Sequence, residues 1–256
     1  MSILDPIETY FKVNDSCLKE AIFNSKFEKT AQVLYNFYDK SLSISEVINS
    51  IDYNKNIYPC IILLRCQIEH FIVSSYIWIS FRINKSDKIA SIYYGEYLIQ
   101  ELLKRLNYAK KNNINSESRY AFFFQKILDV LTYKKIITQK DIEKINSEAN
   151  QFDIRNISKF FDRKLPLELD NIIRPERIKQ FLEYYNYFSS FVHGGPSADM
   201  IIKEKKNNPF IDAMTNSIEW SDNIVNFQRI LLLYFLAMEN NKFEKDFELL
   251  IETMFK

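Results

Sequence analysis

The chain has 256 residues, 47% hydrophobic and 15% aromatic, so it can bury a sizeable core and falls outside the disordered class. Thirty-four basic residues against 33 acidic ones leave a formal charge of +1, which excludes an overall field steering it towards nucleic acid or an anionic membrane. Three glycines are too few for folds that rely on tight turns and phosphate loops, and an all-α fold is expected.

In chain order, residues 3–12 and 16–40 carry helical periodicity, the second through Leu18, Ile22, Phe27, Ala31, Leu34 and Tyr38. Ser43 followed by Glu46 makes a capping box for a short helix, SISEVINSI. Pro59 then opens the segment PCIILLRCQIEHFIVSSYIWISF, part of a helix expected over about 57–82. It is apolar on nearly all sides, which places it at the centre of a single multi-helix bundle. One polar cluster interrupts it, made of Arg65, Gln67, Glu69 and His70. Arg65 and Glu69 stand four apart, share a face and can pair. The cluster is either an internal clasp or the lining of a polar cleft, because an isolated buried charge costs on the order of several kcal/mol. The helix is long enough to cross a bilayer, but charges in its first half argue against a span, and no membrane association is expected.

Ser86-Asp87 starts the next long helix, running to about Asn112 and ending in the basic run KRLNYAKKNN, where the helix dipole favours cations. A helix over residues 116–133 follows. Thr138 and Asp141 begin a shorter polar one that reaches about Asn150. Residues 151–174 lack a sustained period and read as an extended connection with room for a short helix. Within them Arg155, Lys159, Phe160, Phe161, Arg163 and Lys164 are the candidate basic, aromatic-interleaved surface for single-stranded nucleic acid. The competing reading is a basic cover that inserts Phe into the core. Pro175-Glu176 opens a further helix that stops at His193-Gly194-Gly195-Pro196. Asn216 or Ser217 begins the last long helix, and residues 243–255 close the chain. No composition break is sharp enough to cut domains. One helical domain over 1–256 is therefore expected, with N-terminal helices to residue 55, a core bundle over 56–240 and a C-terminal helix from 241.

Cys17, Cys60 and Cys66 are odd in number and fit no disulfide framework, so a reducing, cytoplasmic setting is expected. The first residues, with acidic side chains and no basic stretch leading into an apolar one, do not read as a signal peptide. Metal-ligand spacings such as HExxH and Cys-x-x-Cys are missing, as are phosphate-cradling loops and the G-x-S-x-G elbow. No metal and no cofactor is expected, and nucleoside-triphosphatase, dehydrogenase and α/β-hydrolase chemistry is excluded. Two histidines remain, His70 beside Glu69 and His193 immediately before the twin glycines. Each is either an acid–base group that titrates near neutrality or an ordinary structural histidine.

Two short motifs carry a resemblance. The Arg-x-x-x-Glu of LLRCQIEHFI and the Ser-x-x-x-His-Gly of YNYFSSFVHGG, within residues 45–240, resemble a bacterial all-helical domain of unknown function related to the HEPN superfamily of helical ribonucleases and nucleotide-associated proteins. The resemblance implies a HEPN-like bundle, and a metal-independent ribonuclease or degenerate relative acting as toxin or antiphage effector. It also implies RNA as partner and an active site shared across a homodimer. HEPN ribonucleases carry Arg, four to six residues, then His, and Arg65 with His70 matches that spacing. On this resemblance His193 or His70 would move a proton at a ribose 2′-hydroxyl, Arg65 would stabilise the charged phosphorane, and Glu69 would hold Arg65. From the residues alone, the alternative is a non-catalytic helical interaction module or adaptor subunit.

Overall fold

The protein is all-α. The computed structural model describes residues 6–51, 57–111, 129, 138–168, 175–192 and 216–254, and among them every regular element is a helix. In order these are α1 (Pro6–Phe23), α2 (Glu28–Ser50), α3 (Ile57–Asn84), α4 (Lys88–Ile92), a π-helical turn (Tyr93–Tyr97), α5 (Leu98–Lys111), α6 (Gln139–Ala149), a 3₁₀ turn (Asn150–Phe152), α7 (Ile154–Glu168), α8 (Pro175–Val192), α9 (Ser217–Ala237) and α10 (Asn241–Met254). They form two compact units, one reaching Asp87 and resuming at Phe161, the other spanning Lys88–Phe160.

In the first unit α3 packs against α2, α8 and α9 at once, which is why it needs no polar face. All its residues from Phe71 to Phe81 are buried. Although α3 is long and apolar enough to cross a membrane, 67% of its most apolar stretch is buried inside the protein. Aromatic contacts fix the directions of its neighbours. Phe71 meets Phe181 of α8 at 4.8 Å while Tyr58 donates to the Phe191 carbonyl, so α3 and α8 run antiparallel. Phe71–Phe227, Trp78–Tyr234 and Phe81–Phe235 climb together, so α3 and α9 run parallel. Beyond them, α1 lies on α2 and α9, and α10 lies on α9 and α1.

Several boundaries differ from expectation, each for a local reason. The break expected at 13–15 is absent, because Asn14 donates to the Tyr10 carbonyl at 3.0 Å and Lys19 pairs with Asp15 at 2.8 Å one turn on. The chain breaks instead between Phe23 and Glu28. The capping-box helix at Ser43 is absent too: α2 runs through it to Ser50, and Ser43 bonds back to the Asp39 carbonyl at 3.1 Å. Asp87 does not merely lead into α4. Its carboxylate accepts from Lys29 N (3.3 Å), Thr30 N (3.0 Å) and Thr30 Oγ1 (2.6 Å), capping the free start of α2, whose own N-cap residue Phe27 has no side-chain oxygen. Asp87→Ala is therefore expected to lower stability by about 1–2 kcal/mol, read as a fall in the urea midpoint, while Asp87→Asn retains most of it.

In the second unit the long helix expected from Ser86-Asp87 is interrupted by the π turn. Tyr93 and Tyr97 stack at 5.5 Å, and each meets Phe152 at 5.3 Å. Gln100 donates to both Asn146 and Asn150 at 3.2 Å, joining α5 to the end of α6. The capping box at Thr138 and Asp141 forms as the spacing predicted, with reciprocal bonds of 3.2 and 2.9 Å. The extended connection expected over 151–174 is corrected: α7 is a helix of 15 residues. Asp153 starts it by accepting from Arg155 N at 2.9 Å, a bond that holds its carboxyl below the usual range. Ile157 and Phe161 supply a buried stripe at helical spacing. The expected helix over 116–133 and the polar stretch 203–208 lie outside the described residues, apart from the helical Asp129.

Candidate functional site

The polar cluster of α3 divides three ways, because successive residues of a helix turn by about 100°. Gln67 is fully buried and donates to the Ser41 carbonyl of α2 at 3.0 Å and the Ser221 carbonyl of α9 at 3.2 Å. It is a clasp joining three helices. His70 sits about 140° round the helix from Arg65, with its ring 5.5 Å from that of Phe37 in α2. Burial first, and the positive charge of Lys40 second, push its pKa down to about 4, so it is neutral at pH 7. Its Nδ1 is buried without a hydrogen-bond partner.

Arg65 and Glu69 face α8. Arg65 Nη1 pairs with Glu69, and Nη2 donates to the Tyr185 hydroxyl at 2.7 Å. The guanidinium carbon also lies 4.4 Å from the centroid of that same ring, within cation–π range. The site is not sealed: the Arg65 side chain is 16% exposed and that of Glu69 36%. One turn along α8 from Tyr185, Ser189 donates to the Tyr185 carbonyl at 2.7 Å. The arrangement thus holds one cation in a fixed direction, set by Glu69 and Tyr185. His193, four positions past Ser189 in sequence, lies outside the described residues.

The basic residues Arg155, Lys159, Arg163 and Lys164 are all exposed on α7, the first three at four-residue intervals. The aromatic part of that expectation fails: Phe161 is fully buried, and Phe160 is only half-buried. A buried ring fills core and offers no stacking face to a base. Among the described residues no group of three or more His, Cys, Asp or Glu is placed to hold a metal ion. Cys60 is buried, which raises its thiol pKa and makes it a packing residue.

Sequence reasoning missed Arg229. This side chain, 4% exposed, lines a cleft of about 830 Å³ between α1, α2 and α9. Its signal was available, since it is the lone Arg or Lys within IVNFQRILLLYFLAM, as Arg65 is within PCIILLRCQIEHFIVSSYIWISF. No protein-family model, curated protein or solved structure matches the chain.

Proposed function

We propose that this chain is a HEPN-like helical protein that engages RNA through a backbone phosphate at the Arg65–Tyr185 site and cleaves it without metal, in a toxin or antiphage setting. The observation that supports this reading is that the two stretches carrying the resemblance, LLRCQIEHFI and YNYFSSFVHGG, meet through Arg65 and Tyr185. Arg65 and Tyr185 are 120 positions apart, yet they are hydrogen-bonded in a half-open site that also carries Glu69 and Ser189. On this reading Arg65 holds a non-bridging phosphate oxygen, and His193 moves the proton of the attacking 2′-hydroxyl. His70 is unsuited to that task, being turned away from Arg65 and unprotonated until about pH 4. The exposed cations of α7 would add sequence-independent attraction.

The test compares wild type with Arg65→Ala, His193→Ala and His70→Gln on a mixed RNA pool in a chelator. Cleavage by wild type is expected to fall about a hundredfold or more in the first two variants and to stay within about threefold in the third. No cleavage by wild type, or equal rates in all four, removes the reading. A second reading, a non-catalytic interaction module, is favoured by one observation: both Nη atoms of Arg65 already have a partner within the protein. A structural clasp would then lose thermal stability in Arg65→Ala with no RNA chemistry in any variant.

A further inference from the structure

The cleft between α1, α2 and α9 has the size of a small-molecule site. At its floor Arg229 Nη1 donates to Asn226 at 2.7 Å and lies 4.0 Å from Glu8, whose other oxygen is engaged by Lys12. The guanidinium carbon stands 5.9 and 5.7 Å from the rings of Phe11 and Tyr38, and Nε is buried without a partner. A buried guanidinium with one neutral hydrogen bond and one distant carboxylate is poorly compensated, since desolvated charges need close partners. It calls for an anionic group from outside the protein.

The rim has the opposite sign. Among the described residues Asp222 accepts from neutral donors there, Ser45 at 2.7 Å and Asn49 at 3.3 Å, and Glu46 also lines the cleft. A simple anion would be repelled by these carboxylates, and a simple cation by Arg229, whereas a zwitterion satisfies both. Asp222 and Arg229 are two turns apart on α9, about 10 Å along its axis. Arg229 Nη1 reaches back to Asn226, one turn from Asp222, so the two ligand charges would stand about 6–10 Å apart. That separation exceeds what one amino acid offers and suits a peptide of two or three residues, at about 3.5 Å per residue. Phe11, Leu42 and Val225, which also line the cleft, provide apolar surface for its side chains.

We propose that this cleft binds a short zwitterionic peptide, its carboxylate on Arg229 and its ammonium between Asp222 and Glu46. The site is separate from the α3–α8 site and does not depend on the RNA reading. The test is titration calorimetry of the full chain with the tripeptide alanyl-leucyl-alanine, its C-terminal amide and its N-acetyl form. Saturable binding of the free tripeptide is expected, about tenfold or more weaker for either capped form. Asp222→Asn should weaken the free tripeptide about tenfold while leaving the N-acetyl form unchanged, and Arg229→Met should do the same with respect to the amide. No saturable binding by wild type, or equal binding of all three peptides, overturns the proposal. Should Arg229→Met fail to fold, the capped peptides and Asp222→Asn suffice to decide between these outcomes.

Discussion

Phe71→Ala is expected to cost about 3–5 kcal/mol, the range for a phenylalanine removed from a packed core. The ring is fully buried, and it touches Phe181 of α8 at 4.8 Å and Phe227 of α9 at 5.8 Å. Deleting it therefore loosens α3 from two helices at one point, and Phe181, which itself packs on Trp220 at 5.4 Å, loses a wall. Against a typical total of about 5–15 kcal/mol, this is a large share of the stability. Urea unfolding should show a strongly lowered midpoint with an unchanged slope. Phe23→Ala is the control: that ring is 74% exposed, and its removal should change stability by no more than about 0.5 kcal/mol. Equal costs at the two positions would mean that α3 is not the packed centre.

Acid should destabilise the protein through His70. Its folded pKa, about 4, lies below the value of about 6.5 it has when unfolded, so between those limits the unfolded chain binds the extra proton. Stability is then complete above about pH 6.5 and is lost progressively as the pH falls to about 4. The contribution is at most about 3 kcal/mol, and less in practice because the ring is only partly shielded. Lys40 adds to the effect by repelling the imidazolium. His70→Gln removes the titrating group, so the stability difference between wild type and variant should change by up to about 2 kcal/mol between pH 7 and pH 4.5. A difference that stays constant over that range would rule this account out.

How much of this was legible depended on whether the signal was local. The central position of α3 was readable because an all-round apolar helix has no other stable placement in water. The capping box of Thr138 and Asp141 was readable because all its atoms lie within four residues. Ser43 and Glu46 offered a similar pattern and misled, since burial of Ser41 and Ser45 against α9 kept α2 continuous through that point. The α7 helix was hidden because its buried stripe is short, Ile157 and Phe161, and stands among charged residues. Neither the partnership of Arg65 with Tyr185 nor the burial of Arg229 between Phe11 and Tyr38 could be read from spacing. Both join helices far apart in the chain, and only packing brings them together.

The π turn at Tyr93–Tyr97 carries a consequence for everything downstream of it in its unit. A π turn accommodates about one residue more than an α turn over the same rise. It therefore sets back the phase of α5 by roughly 100° relative to an uninterrupted continuation of α4. That offset brings Gln100 round to Asn146 and Asn150 while Tyr93 and Tyr97 still stack beside Phe152. The turn thus works as a rotational shim, matching two faces of one helix to a single partner that a straight rod would meet with only one of them.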